Sequence, residues 1–328
     1  MIVPEFWAEA RIQERFPDRQ VTVRRAGWSD ESQEAAQAHA DQRARDAFDR
    51  IVAGEELPRR EPKVRYNGAD GIPIREPILE RFGDAVVTRN SYGARCLNSP
   101  DVFFADVDYP GPLTSNCLTW ILSLAVSSVV GFWLGNFINS VPAGLCCAAI
   151  LTVLFAFLID CCHAKFIDLT GGNDHHTLTR IRSFANQHAN WHIRVYRTPK
   201  GFRIAALHKL FDPRSIQVEN AFVALRVDQL YRLMSQKQNC FRARLTAKPW
   251  RIGISNHIKP RPGVWPIREE QLEEYNSWVT NYEQIASDFA ACEYEESLGD
   301  LSRIAPKASE LIDFHDSACR ALSGLPIA

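Results

Sequence analysis

Residues 109–159 read YPGPLTSNCLTWILSLAVSSVVGFWLGNFINSVPAGLCCAAILTVLFAFLI, without an Asp, Glu, Lys or Arg. A helix that crosses the hydrocarbon core of a bilayer takes about 20 apolar residues. The run therefore holds two spans, Leu118–Ile138 and Val141–Ile159, joined by a turn marked by Asn136, Asn139, Ser140, Pro142 and Gly144. Small residues recur every fourth position in both: Ser123, Ser127, Gly131 and Gly135 in the first, Gly144, Ala148, Thr152 and Ala156 in the second. Each series lies on one helical face and permits the close backbone approach by which helices associate in lipid. The two stripes are expected to face each other; the alternative is a homo-oligomer formed through the Gly131/Gly135 face. Buried helices of a soluble core are the competing reading, but two adjacent ones of this length are rare.

The turn carries no charge, whereas Arg95, Lys165, Arg180 and Arg182 lie on the flanks. Two spans return the chain to the side it left, and basic flanks favour the cytoplasm. The expectation is an integral, multi-pass membrane protein with the lipid bilayer as partner and both termini cytoplasmic. Met1–Arg11 is charged and has no apolar h-region, so no cleavable signal peptide is expected.

Across all 328 residues the net charge is -1, which excludes a global field toward nucleic acid or acidic surfaces. Any such binding must come from a local patch. The 9 cysteines are odd in number and include no C-x-x-C, as suits reduced, mostly buried thiols facing the cytosol. Cys161-Cys162-His163 is read as the end of a membrane helix rather than as a metal or acylation site.

The flanking sequence predicts an α+β protein. Arg19–Arg25 alternates like a strand, and Asp30 with Gln33 is spaced as a capping box opening a helix through Ile51. Gly54–Pro73 reads as loop, Ile74–Phe82 as a short helix and Ala85–Arg89 as a strand. From Asp101 onward the pattern becomes informative. Val102–Val107 is an apolar strand; after the hairpin come a helix over His176–Ala189 and strands Trp191–Thr198 and Phe202–His208, joined by a three-residue loop, Pro199-Lys200-Gly201. A helix over Val218–Lys237 and a strand over Cys240–Thr246 follow. With the hairpin set aside, the order is that of a ferredoxin-like or RRM-like βαββαβ core with the transmembrane hairpin inserted after its first strand. The expected organisation is an N-terminal α+β region (1–100), a split core (101–112 and 163–255), the hairpin (113–162) and a C-terminal helical region (256–328). In the last, Glu269–Leu298 reads as an acidic helix or helix pair and Ala308–Leu322 as a shorter helix. His315-Asp316 is read as a solvated pair, and Asp174-His175-His176 as a solvated helix start.

Alternation along the first core strand places Phe104, Asp106 and Asp108 on one face. Paired carboxylates at a strand exit repel unless a cation or arginines lie between them. Arg242 and Arg244 share a face of the last strand, Arg197 and Arg203 oppose each other near the turn, and Lys200 lies within it. Two acids with several basic groups at one sheet edge suit a divalent metal, Mg2+ or Mn2+, with a nucleotide or other phosphate. Structural salt bridges across the sheet are the plainer alternative.

Phe103-Phe104-Ala105-Asp106-Val107-Asp108 resembles the first motif of archaeo-eukaryotic primase-type polymerases, an apolar strand ending in D-x-D. Thr198-Pro199-Lys200-Gly201 leading to His208 is similar to their second, a Gly-containing turn into a strand that bears a histidine. The resemblance covers Asp101–Gly253. It implies catalytic Asp106, Asp108 and His208, metal on Asp106 and Asp108, and phosphate contacts from Arg197, Lys200, Arg203, Arg242 and Arg244, with nucleotide or nucleic acid as partner. The histidine lies further from the turn glycine than is usual there, and no third acid stands on an apolar strand; Asp212 and Asp228 are the nearest. The function expected is a membrane-anchored cytosolic module that binds a divalent metal and a nucleotide or other phosphate ligand; nucleotidyl transfer is the reaction the resemblance would add. A non-enzymatic membrane-anchored interaction module and a D-x-D glycosyltransferase-like enzyme are the alternatives.

Overall fold

The structure is a computed structural model that describes residues 3–61, 72–113, 116–259 and 265–328. Most of the Gly54–Pro73 loop expected from sequence lies outside the described residues. The chain forms two compact units, one of Met1–Val107 with Phe184–Ala328, the other of Asp108–Ser183. The N-terminal hundred residues, the C-terminal region and most of the split core thus share one unit.

In the larger unit, β1 (Phe6–Arg15) and β2 (Gln20–Ser29) form an antiparallel hairpin with Phe6 opposite Ser29 and Arg15 opposite Gln20. Helix α1 (Gln33–Val52) lies on it through Ala36, Ala40 and Ala44, packed against Ala8 and Ala10. Alanine at every fourth position is what allows this approach, and a Cβ on Gly27 would collide with the α1 backbone at Ala36 and Ala40. The cap differs from the expected box. Ser32 Oγ accepts from the Ala35 N–H at 3.1 Å, and the Gln33 side chain donates to the Trp7 carbonyl.

Two four-stranded sheets follow. The first has the order β3-β4-β5-β9, built from β3 (Ile78–Phe82), β4 (Ala85–Arg89), β5 (Arg95–Ser99) and β9 (Phe241–Arg244), each pair antiparallel. Residues 78–82, expected as helix, are extended because they pair with β4. The second sheet has the order β10-β7-β8-β6, from β6 (Phe104–Asp108), β7 (His192–Thr198), β8 (Gly201–Ala206) and β10 (Glu293–Gly299). The Ala206 N–H donates to the Phe103 carbonyl while Arg203 reaches Asp106, so β8 and β6 run antiparallel. Gly201 pairs with Thr198, which leaves Pro199 and Lys200 as a two-residue turn.

The α+β class with antiparallel sheets is as expected, but the pairing does not gather the four predicted core strands into one ferredoxin-like sheet. β9 joins β5, and the edge beside β7 goes to β10. Residues 293–299 are strand rather than the tail of an acidic helix, which ends earlier as α7 (Glu269–Ala286). The helix expected over Val218–Lys237 is two, α5 (Ile216–Leu225) and α6 (Gln229–Gln238). Arg226 takes the left-handed conformation at φ 56, and Asp228 recaps the chain by accepting from the Tyr231 N–H at 2.9 Å. One face of the β6 sheet is apolar, with the Phe103 ring centre 5.4 Å from those of Phe211, Phe222 and Phe241. The last helix is α8 (Pro306–Cys319).

The smaller unit holds α2 (Cys117–Phe137) and α3 (Val141–Leu169), both long and apolar enough to cross a membrane, and the start of α4 (Gly172–Gln187). The small-residue stripes face each other. A Cβ on Gly131 would come within 2.6 Å of Ala148 Cβ and of the Gly144 carbonyl oxygen. Ser127 and Thr152 join the helices by a hydroxyl–hydroxyl hydrogen bond. The Gly131/Gly135 face is therefore filled by α3 of the same chain. Helix α3 continues past Ile159 to Leu169, so Cys161, Cys162 and His163 lie within it rather than at its end.

Candidate functional site

The face of the β6 sheet opposite the Phe103 cluster is polar. Period-two alternation aligns Asp106 on β6, Arg203 on β8 and Arg194 with Tyr196 on β7. Helix α8 lies against this face, with the His315 ring centre 5.2 Å from that of Phe104 and 5.0 Å from that of Tyr196.

Arg203 is the hub. Its side chain is 1% exposed, and its Nε donates to Asp106 Oδ1 at 2.9 Å. Its Nη1 donates to the Arg244 carbonyl at 2.8 Å and lies 3.3 Å from His315 Nε2. Burial disfavours the guanidinium charge, and Asp106 together with Cys292 and Cys319 more than offsets that penalty. A second ion pair adjoins the first: Arg194 Nη2 lies 2.8 Å from Asp316 Oδ2, and Asp316 Oδ1 lies 3.0 Å from His315 Nδ1. The His-Asp step is thus buried and ion-paired, not solvated. Burial opposes the imidazolium of His315, but Asp316 and Cys292 outweigh it and raise its pKa.

Two cysteines complete the cluster. Cys292 and Cys319 are fully buried, and their sulfurs lie with a His315 ring nitrogen inside a span of 4.8 Å. Hydrogen bonding from Cys319 lowers the Cys292 thiol pKa against the effect of burial, while burial raises that of Cys319. Backbone pairing sets this approach. The Ala291 N–H donates to the Cys319 carbonyl at 3.0 Å and the Tyr294 N–H to the Ala321 carbonyl at 2.8 Å, which latches Cys292 beside the end of α8.

Of the residues singled out in the sequence, the fold brings together Asp106, Arg203 and the backbone of Arg244. Asp108 is exposed at the end of β6. Arg242 belongs to the other sheet, where its Nη2 lies 2.5 Å from Oε2 of Glu76, a carboxylate 2% exposed that also accepts from Thr88 Oγ1 at 2.7 Å. Arg197 pairs with Glu295 of β10 at 3.1 Å, and Lys200 is exposed in the β7–β8 turn. His208 lies beyond the far end of β8 from that turn. It packs on Trp191 and Phe211 with ring centres 4.7 and 5.3 Å away, and burial lowers its pKa to about 4.

No family model, curated protein or solved structure matches the chain in sequence or fold comparisons. The sequence singles out neither Cys292 nor Cys319, and His315-Asp316 reads there as a solvated pair. Their one local signal is the four-residue spacing of His315 and Cys319, which puts both on one face of a helix.

Proposed function

We propose that the chain is a membrane-anchored interaction module, with α2 and α3 crossing the bilayer as a hairpin and both chain ends on the cytoplasmic side. One observation carries the reading: the hairpin uses its small residues internally and turns its large apolar ones outward. Phe132 and Trp133 are 72% exposed, and only 22% and 6% of the most apolar stretches of α2 and α3 are buried. A core helix of a soluble protein buries such side chains, because each costs about 1.5–3 kcal/mol left in water. Lipid removes that cost. The uncharged turn and the basic flank support the cytoplasmic orientation.

At the other site, the pairing of Asp106 with Arg203 and of Arg242 with Glu76 supports a structural role for these charges over metal and phosphate capture. An interaction module is therefore favoured over a nucleotidyl transferase. The chain, tagged at both ends, should stay in membranes through alkaline carbonate washing and leave only with detergent. Both tags should resist protease added outside intact cells and be cleaved after lysis. A monomer soluble without detergent, or one tag digested from outside, overturns the anchor. Nucleotide incorporation by the purified chain with Mg2+ or Mn2+, lost in Asp106→Asn, would restore the enzymatic reading.

A further inference from the structure

The Cys292, His315 and Cys319 cluster has the composition and setting of a metal centre. His315 and Cys319 stand four residues apart on one face of α8, and the backbone latch described above delivers Cys292 from a separate segment. Their ligand atoms already lie within 4.8 Å of one another. Tetrahedral zinc, with bonds of about 2.3 Å to sulfur and 2.0–2.1 Å to nitrogen, holds its ligand atoms roughly 3.5–3.8 Å apart. Closing the difference asks for side-chain adjustments only.

We propose that Cys292, His315 and Cys319 form a structural site for a thiophilic divalent cation of the zinc class. Asp316 Oδ1 receives the Nδ1 proton of His315 at 3.0 Å, which fixes the tautomer and leaves Nε2 as the ligand atom. Arg194 holds the other oxygen of Asp316, so this supporting carboxylate is anchored from both sides. Soft sulfur donors select zinc over the hard cations Mg2+, Mn2+ and Ca2+.

Charge balance agrees. A divalent ion neutralises two thiolates, Asp106 neutralises Arg203, and Asp316 neutralises Arg194, so no net charge is buried. Two contacts must yield: that from Arg203 Nη1 to His315 Nε2, at 3.3 Å the longest that the guanidinium makes, and the Cys319 Sγ–H donation to the Arg244 carbonyl, which goes with the thiol proton. Arg203 keeps Asp106 and the Arg244 carbonyl, and gains thiolates as acceptors. The Arg244 carbonyl oxygen, 3.4 Å from Cys319 Sγ, is a candidate fourth donor. All three ligand residues are buried, the setting of structural rather than catalytic zinc sites. The ion would tie the end of α8 to the start of β10 and so close the polar side of the sheet.

The full chain, purified in detergent with reductant and reconstituted with zinc, should hold one ion per chain by mass spectrometry. Cobalt in place of zinc should give the thiolate charge-transfer and intense visible bands of tetrahedral Cys-His coordination on the unaltered chain, independent of whether any variant folds. The Cys292→Ala/Cys319→Ala double variant should lose both ion and bands. An unaltered chain that binds neither metal, a double variant that keeps the ion, or a native Cys292–Cys319 disulfide found by peptide mapping from cytosol-facing membranes overturns the proposal.

Discussion

Arg203 Nε lies 2.9 Å from Asp106 Oδ1, and Arg203 is almost wholly buried while Asp106 keeps a third of its side chain exposed. The first acid of the D-x-D motif thereby neutralises a guanidinium inside the fold. Asp106→Asn leaves that charge without its anion, so stability should fall by about 2–3 kcal/mol, below the 3–5 of a fully buried pair because water reaches the acid. Denaturant titration in detergent checks the sign. A gain in stability would mean that repulsion between Asp106 and Asp108 dominates. Mg2+ should then stabilise the parent chain, by about 2.7 kcal/mol at a hundredfold excess over its dissociation constant.

The Glu76–Arg242 pair should be more sensitive. Glu76 is 2% exposed and also accepts from Thr88, so Glu76→Gln removes the anion where no water replaces it. A loss of about 3–5 kcal/mol is expected. The same titration should rank Glu76→Gln as more damaging than Asp106→Asn. The reverse order would place the stronger electrostatic constraint at Asp106.

Within the hairpin, two glycines one turn apart should respond differently to a single methyl group. A Cβ on Gly131 meets Ala148 Cβ and the Gly144 carbonyl oxygen at 2.6 Å, whereas one on Gly135 finds its nearest neighbour, Gly144 Cα, at 3.2 Å. Gly131→Ala should therefore cost about 1–3 kcal/mol of overpacking and Gly135→Ala distinctly less. Thermal unfolding in detergent reads the difference, and Gly131→Leu should separate the helices. Equal, negligible effects would mean that the helices are not packed on this face.

His208 supplies a pH test. Its folded pKa, about 4, lies below the ordinary 6.5 because burial among Trp191 and Phe211 disfavours the charged ring. Between those values the unfolded chain binds more protons, so stability rises with pH across the window. The contribution is complete above about pH 6.5 and lost as pH falls toward 4. His208→Phe should flatten that part of the stability profile. An unchanged slope would mean that the ring titrates freely.

The two long apolar helices could be read from sequence because their signal is local. A run without charge sets their length, and a four-residue period sets the packing face, before any other part of the chain is considered. The β7–β8 hairpin was legible too, its turn one residue shorter than the expected loop, and so was α1; β1, which pairs with β2, was not. Strand partners were not. Phe241–Arg244 alternates in the same way whether it pairs with β6 or with β5, and only long-range pairing chose β5. Glu293–Gly299 is acid-rich and reads as helix; its pairing with β7 and the Arg197–Glu295 contact make it a strand.

The sequence by itself determined the apolar hairpin, the α+β class and the list of charged residues. Tertiary structure decided which charges meet. Opposite charges attract across tens of residues of intervening chain, and a linear pattern cannot say which arginine a carboxylate will find. So Asp106 found Arg203 rather than Arg242 or Arg244, and His315, one half of a solvated pair by its local sequence, was folded between Asp316, Arg203 and two cysteines. Cys292 and Cys319 approach only because the backbone after α8 runs beside the start of β10, a contact that exists in no local stretch of the sequence.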